Sequence, residues 1–174
     1  CRRDDPERAV LPCGAVGEAR GQRVILTSLR PRQDRCAQVA VVVGYADVGG
    51  IDQFALVRYN SDGSLDASLN SSGKITTAVG KGTCKGEGLA LQEDGKIVVV
   101  GYSFNAGGQS CFTVLRYGTD GSLDTSFADS GKVVTSVAKD GNADSVAMQS
   151  DGKIVVAGNA FIDRNNNDFG VVRY

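Results

Sequence analysis

The chain has 174 residues with 19 basic and 20 acidic side chains, and it contains no histidine and no tryptophan. A formal net charge of -1 gives no reason to expect nucleic acid or an anionic membrane as a partner, and no apolar run is long enough to span a bilayer. Without histidine a Ser-His-Asp triad is impossible, and the commonest metal ligand is missing. The 23 glycines favour many short strands and tight turns over a helical fold.

The N-terminal region differs in composition from the rest of the chain. All three prolines lie within residues 1–39, whereas every Phe, Tyr, Lys and Asn lies after them. We therefore expect an atypical N-terminal arm or cap, residues 1–39, followed by a repeat domain, residues 40–174. The arm is alternatively a degenerate repeat, or a repeat read out of frame, because residues 21–35 back-translated with a one-base shift can yield a string that resembles the later repeats.

Five cysteines are scattered along the chain, and no pair has the Cys-x-x-Cys spacing of zinc or thioredoxin-like sites. Scattered cysteines in a glycine-rich β chain fit an exported protein with one or two disulfides, with free thiols as the alternative. Cys84 and Cys111 form one candidate disulfide, and Cys1 and Cys13 another. Cys1 is alternatively a lipid-modified anchor. At least one cysteine must remain unpaired or be joined elsewhere, because five is odd.

A block of sequence recurs with a nearly constant period. Gly44, Gly101 and Gly158 each close a β-branched run and lie 57 residues apart, and Arg-Tyr pairs recur at 58–59, 116–117 and 173–174. Such a period indicates one supersecondary unit that is repeated along the chain. We expect the three glycines to allow close approach of a neighbouring backbone.

The second copy of the block predicts four strands. The β-branched run Lys96–Tyr102 and the segment Phe112–Tyr117 form a predicted hairpin, Gly131–Val137 a third strand and Ser145–Gln149 a fourth. The second strand has apolar side chains on both faces, so it is expected to be covered on both sides, as in sheets packed face to face. We predict an all-β fold of antiparallel four-stranded, propeller-like blades with the valine-rich strand first and innermost.

The repeated segments are similar to a known family. DQFALVRYNSDGSLD, CFTVLRYGTDGSLDTSF and ALQEDGKIVVVG closely resemble the bacterial delta-60 repeat, a propeller-type repeat of unknown function. The likeness covers about residues 40–174, and its elements recur in the same order and spacing. The resemblance implies an exported or surface-exposed bacterial protein built from tandem repeats. It carries no known catalytic residues, so none is assigned.

The number of repeats is small for a propeller. Propellers usually have four to eight blades, and 174 residues supply about three incomplete ones. The chain is thus expected to be a fragment of a longer array, or to self-associate with other copies, or to close alone as a pseudo-threefold β fold such as a trefoil. An exposed edge strand invites pairing with another chain, which favours the first two alternatives.

Three arginines recur at the same point of the block, on a face that is otherwise apolar. They are Arg58, Arg116 and Arg173, and Asp66 and Asp124 follow the first two by eight residues. A half-buried arginine needs a partner, because an unpaired buried charge is costly. We expect a structural latch between the arginine and the turn segment, which we favour over an anion or sugar-acid site in every repeat.

One loop has the spacing of a calcium site. Asp163, Asn165 and Asn167 have the one-three-five spacing of oxygen ligands, while Asp168 replaces the usual glycine and the glutamate at position twelve is missing. A solvated hairpin loop is therefore favoured, and calcium is a weak alternative. No other cofactor is expected.

These observations predict a non-catalytic extracellular or cell-surface module with a structural, adhesive or self-assembly role. Its expected partners are other copies or further repeats, with no nucleic acid and no membrane span. The alternative is a module that binds a carbohydrate or another small ligand or surface glycan through loops 45–52, 103–111 and 159–168. An enzyme with a carboxylate-based site is the least favoured of the three.

Overall fold

The computed structural model describes residues 40–163 and 166–174. Within them the regular structure consists of ten strands and no helix, so none forms a helix able to cross a membrane. The strands are β1 (Ala40–Val48), β2 (Ile51–Tyr59), β3 (Lys74–Thr77), β4 (Cys84–Leu91), β5 (Ile97–Phe104), β6 (Ser110–Tyr117), β7 (Lys132–Thr135), β8 (Asp140–Met148), β9 (Ile154–Asp163) and β10 (Asn166–Arg173). The predicted arm or cap, residues 1–39, lies outside the described residues.

The strands form three antiparallel sheets. Sheet A has the order β1-β2-β3, sheet B the order β4-β5-β6-β7, and sheet C the order β8-β9-β10. The predicted all-β fold of propeller-like blades is confirmed. The trefoil alternative does not describe this arrangement, because the described strands lie in three separate sheets and close no barrel.

The predicted position of the valine-rich strand is wrong. This strand is the second of its sheet, since β5 pairs with β4 on one side and with β6 on the other. The reason lies in the Asp-Gly turns, which join β4 to β5 and β8 to β9 as tight hairpins, with Gly95 N–H donating to Gln92 O and Gly152 N–H to Gln149 O. The strand predicted to close one blade, Ser145–Gln149, therefore falls in β8 up to Met148 and opens the next blade.

The core consists of two layers of apolar side chains between the sheets. Val41, Val43 and Leu56 of sheet A pack with Val99 and Leu115 of sheet B. On its other face, sheet B packs against sheet C through a cluster that contains Val98, Val100, Phe112, Val114, Ile154 and Val156. The expectation that the second predicted strand is covered on both faces is confirmed, because alternate side chains of β6 enter the two layers.

Candidate functional site: the arginine latches and the outer face of sheet C

The first predicted arginine lies in a dense set of hydrogen bonds at the end of β2. Arg58 Nε lies 2.7 Å from Asp66 Oδ2, Nη2 donates to Ser68 Oγ at 2.6 Å, and Nη1 donates to the Thr119 carbonyl at 2.8 Å. The Ser68 hydroxyl in turn donates to Asp66 Oδ1 at 2.6 Å. We call an arginine, aspartate and serine joined in this way an arginine latch. Because Thr119 belongs to the next repeat, this latch also connects two repeats.

The second repeat contains the same latch. Arg116 Nε lies 2.9 Å from Asp124 Oδ2, and Nη2 donates to Ser126 Oγ at 3.2 Å. The guanidinium also stacks over the Phe127 ring, 4.6 Å from its centroid, a cation–π contact. Lys96 Nζ, 3.4 Å from Asp124 Oδ2, adds a second positive charge. The structure thus brings together both predicted pairs of arginine and aspartate.

The latches hold their carboxylates in the ionised form. The hydrogen bond from the Ser126 hydroxyl is the largest cause that lowers the pKa of Asp124, to about 2. Burial alone would raise the pKa of Asp66, but the hydrogen bonds from Ser68 and the charge of Arg58 outweigh it, so that this pKa is also lowered. A carboxylate that is already satisfied in this way is a poor general acid, and the geometry fits a structural contact.

Backbone hydrogen bonds fix the turn segment at the same place. Arg58 N–H donates to Gly73 O, and Asp66 N–H donates to Arg58 O, each at 2.9 Å. The corresponding bonds of the second repeat, Arg116 to Gly131 and Asp124 to Arg116, are also 2.9 Å long. The turn segment therefore leaves the sheet after the arginine, passes beside it, and returns as the outer strand β3 or β7.

The third arginine has no latch within residues 40–163 and 166–174. Arg173 is exposed, and it makes no ion pair with any of the described residues. The side chains on the same face of β10 are exposed too. Phe169 is 79% exposed and Val171 56%, whereas the equivalent Phe54 and Phe112 are 2% and 0% exposed. We call the side chains of Phe169, Val171 and Arg173 the outer face of sheet C.

The first strand of the next sheet covers the equivalent side chains in sheets A and B. A Cβ atom placed on Gly86 of β4 would lie 3.2 Å from the Phe54 ring, and one placed on Gly141 of β8 would lie 3.2 Å from the Phe112 ring. The absence of side chains at these glycines lets each strand lie directly on the phenylalanine. No described strand lies on Phe169 in this way.

Two of the repeated tyrosines join neighbouring sheets through hydrogen bonds to threonines that the sequence did not single out. The Tyr117 hydroxyl in sheet B donates to Thr77 Oγ1 in sheet A at 2.7 Å, and the Tyr174 hydroxyl beside sheet C shares a hydrogen bond of 2.6 Å with Thr135 Oγ1 in sheet B. Burial raises the pKa of both tyrosines. The spacing of the two threonines, which matches the repeat, was the signal that could have revealed this contact.

Two of the repeated glycines allow the close backbone approach that was predicted. A Cβ atom on Gly101 would lie only 1.9 Å from Lys85 O, and one on Gly158 only 2.0 Å from Asn142 O. In both places the register of the facing strand shifts by one residue, between Gly86 and Gly88 and between Ala143 and Ser145. The glycines therefore accommodate a β-bulge in the first strand of the sheet.

The predicted disulfide between Cys84 and Cys111 is wrong. Both cysteines are free and buried. They pair with the same residue, Ser103, from opposite sides of β5. Two strand spacings separate them, roughly 10 Å, whereas a disulfide needs Cα atoms within about 7 Å. Cys1 and Cys13 lie outside the described residues.

The candidate calcium residues lie around the tip of the β9–β10 hairpin. Asp163 ends β9, Asn167 and Asp168 lie in β10, and Asn165 falls outside the described residues. The Asp168 carboxylate accepts a hydrogen bond from Phe169 N–H at 2.8 Å. Among the described residues no group of three Asp, Glu or Cys side chains is placed to hold a metal ion. Calcium binding by this loop stays a prediction.

A comparison with known protein families agrees with the repeat pattern. A family described as "Domain of unknown function (DUF5122) beta-propeller" matches residues 41–69, 92–127 and 149–174. Each matched segment covers a valine-rich strand and the Arg-Tyr strand that follows it. The first two matches also include the aspartate of the arginine latch. A search of curated proteins finds no match.

Proposed function

The chain belongs to the DUF5122 β-propeller family, and we propose that it is a non-catalytic structural module that associates with other copies of itself. The outer face of sheet C is the proposed contact surface. We also assign the repeat to the delta-60 type, on the recurrence of the Arg-Tyr, Asp-Gly-Ser-Leu-Asp and Asp-Gly-Lys-Ile-Val elements.

One observation carries the proposal. Phe169 and Val171 are exposed at positions whose equivalents in sheets A and B form the core between sheets. Exposed apolar side chains that lie together on a surface mark interaction sites in soluble proteins. If a second copy packs against this face, the apolar side chains are removed from water. The burial stabilises the contact in the same way as it stabilises the packing between sheets within the chain.

Sedimentation velocity over a range of protein concentrations tests the proposal. The natural chain is expected to form larger species as its concentration rises. A variant with Phe169→Ser and Val171→Ser is expected to remain smaller at the same concentrations, because its outer face no longer gains from burial.

Val134→Ser is the matched control, since Val134 is an exposed valine of similar accessibility in the outer strand β7. This variant should associate as the natural chain does. A natural chain that sediments as a monomer at every concentration would overturn the proposal, and so would association that the outer-face substitutions leave unchanged.

The location outside the cell or at the bacterial surface is part of the proposal and is supported by the delta-60 resemblance alone. Protease treatment of intact cells that express the full-length protein tests it. Digestion without lysis is expected, and complete protection until lysis would contradict a surface location.

A second candidate function is the binding of a carbohydrate or another small ligand by the hairpin loops. The first two loops lie beside the first strand of the next sheet, since Lys85 Nζ is 3.2 Å from Asp52 and Ser110 N–H donates to Asp140 across neighbouring sheets. Large apolar side chains are exposed at the hairpin tips, namely Val48, Ile51, Phe104 and Ile162. A glycan array would test this candidate, and binding lost in Phe104→Ser with unchanged sedimentation would favour it over self-association.

A further inference from the structure

A cluster of aromatic and charged side chains lies where sheets A and B meet. Lys85 Nζ of sheet B is 3.9 Å from the centroid of the Tyr45 ring and 3.2 Å from Asp52 Oδ2, and both of these residues belong to sheet A. Lys85 thus combines a cation–π contact with an ion pair across two sheets. The Lys85 and Asp52 side chains are 24% and 26% exposed, so part of the cluster faces water. We call Tyr45, Asp52, Lys85, Tyr102 and Phe104 the Lys85 cluster.

The register of sheet B places an exposed aromatic ring beside the lysine. Lys85 of β4 pairs directly with Tyr102 of β5. Phe104 ends β5 and lies on the same side of the strand as Tyr102. The two rings meet edge to face, with centroids 5.9 Å apart and an interplanar angle of 89°, which is a preferred geometry for an aromatic pair. Phe104 is 38% exposed, so Tyr102 holds in place a ring that remains open to a ligand.

The ion pair of this cluster does not recur in the next repeat. The counterparts of Asp52 and Lys85 there are Ser110 and Asn142, as the registers of the corresponding hairpins show. Neither counterpart carries a charge, and Ser110 N–H instead donates to Asp140. A contact that serves only to stack the sheets is expected in every repeat, as the arginine latch is found in both complete copies. The repeat scaffold therefore does not account for the Lys85 cluster.

The protonation states of the cluster are fixed near neutral pH. Burial alone would lower the pKa of Lys85, but the hydrogen bond to Asp52 and the nearby tyrosines outweigh it, so that this pKa is raised. Burial raises the pKa of Tyr102, and the negative charge of Glu87 adds to this effect. The cluster thus contains an ammonium, a carboxylate and a protonated phenol, which together offer hydrogen-bond donors and acceptors to a ligand.

This combination of groups favours a neutral sugar over other ligands. A wholly apolar ligand would cover the ammonium and the carboxylate and replace none of their hydrogen bonds to water. An ionic ligand gains little, because Asp52 already neutralises Lys85 and the nearby Glu87 disfavours an anion. A hexose offers an apolar C–H face to an aromatic ring, and its hydroxyl groups can donate to a carboxylate and accept from an ammonium group.

We propose that the Lys85 cluster binds a neutral hexose unit of a polysaccharide. The sugar ring stacks on Phe104, whose position Tyr102 fixes. The hydroxyl groups of the sugar accept a hydrogen bond from the Lys85 ammonium and donate to the Asp52 carboxylate. This inference rests on the second candidate function, carbohydrate binding by the hairpin loops, and it assigns that function to one place between sheets A and B. It is independent of self-association through the outer face of sheet C.

Affinity electrophoresis in native gels tests the inference with the complete 174-residue chain. Each gel contains a neutral polysaccharide, namely dextran, laminarin, galactomannan or a mixed-linkage β-glucan, and a further gel contains the polyanion alginate. At least one neutral polysaccharide is expected to retard the chain, whereas alginate is not. Phe104→Ala should weaken the binding by about tenfold or more, because aromatic anchors carry much of the energy of a binding site.

Three further variants separate the site from the rest of the chain. Lys85→Gln removes the ammonium and should weaken binding by about tenfold, with thermal unfolding used to confirm that this variant is folded. Lys96→Gln removes a lysine that makes ion pairs at the opposite end of β5. Val134→Ser changes an exposed apolar side chain in β7. These last two variants should bind as the natural chain does.

The outcomes distinguish this site from carbohydrate binding elsewhere on the chain. Absence of retardation by every neutral polysaccharide, or stronger retardation by alginate, would overturn the inference. Retardation that Phe104→Ala and Lys85→Gln both leave unchanged would overturn it as well. The glycan array, which also presents charged sugars, tests the second candidate function separately. Array binding that neither substitution affects would leave the candidate function standing and remove this site from it.

Discussion

Sheets B and C contain the same repeat, yet the same positions have opposite environments in them. Phe112 in sheet B is 0% exposed beneath β8, and Phe169 in sheet C is 79% exposed. The two phenylalanines pair with equivalent residues in the neighbouring strand, Tyr102 and Asn159. The repeat sequence therefore makes a sheet face suitable for burial, while the position of the sheet among the three sheets determines whether that face is buried.

The repeated arginines also differ between sheet C and the other two sheets. Arg58 has a latch within its own repeat and a further bond to the Thr119 carbonyl of the next repeat. Arg116 has the latch within its repeat. Arg173 has neither. The latch is thus a property of arginine together with the turn segment that follows it.

The two sheets are expected to differ most in how much the free energy of unfolding falls in Phe112→Ala and in Phe169→Ala. Phe112→Ala removes a fully buried ring and should lower the free energy of unfolding by about 3–5 kcal/mol. Phe169→Ala should change it by less than about 0.5 kcal/mol, because the ring is already in contact with water. Urea unfolding followed by circular dichroism, at a concentration where the chain is monomeric, measures both. Equal losses would mean that the outer face of sheet C is covered in solution.

The second expected difference is in the free energy of unfolding that is lost in Arg58→Ala and in Arg173→Ala. Arg58→Ala leaves the Asp66 carboxylate and the Thr119 carbonyl without their donor, so it should cost about 2–3 kcal/mol. Arg173→Ala should be nearly neutral in the isolated chain. Arg58→Lys, which retains the charge but not the planar fork, should recover part of the loss. A destabilisation by Arg173→Ala similar to that of Arg58→Ala would contradict the absence of a third latch.

The smallest difference concerns the tyrosines that join neighbouring sheets. Tyr117→Phe removes a buried hydrogen bond to Thr77 and should cost about 1 kcal/mol. Tyr174→Phe should cost less, because water can replace the lost partner of Thr135 at this half-buried position. Thermal unfolding of the two variants compares them. A larger effect at Tyr174 would show that the contact between sheets B and C is as well shielded as that between sheets A and B.

Much of the fold could be predicted because the relevant signals are local. The β-branched runs, the Asp-Gly turns and the glycines at 101 and 158 depend on backbone conformations and propensities that short segments specify. The pairing of Arg58 with Asp66 was predictable for the same reason, since both lie within one turn segment and the next repeat contains an identical spacing.

The predictions that were wrong concern how segments distant in the sequence are arranged relative to one another. The disulfide between Cys84 and Cys111 was predicted because both cysteines lie in one repeat, but β5 runs between them. The assignment of Ser145–Gln149 to the wrong blade has the same origin. A period in the sequence shows that a unit recurs, and it does not show at which strand the unit begins, because every choice of first strand gives the same period.

The antiparallel strands, the repeat and the pairing of arginine with aspartate follow from residues that are close in the chain, so they could be predicted from the sequence. Which sheet face is covered and which hydroxyl groups meet across sheets follow from how the sheets pack, because burial and long-range hydrogen bonding depend on neighbours from distant parts of the chain. Phe54, Phe112 and Phe169 are the same residue in the same local pattern, and only the sheet beside each one makes the difference.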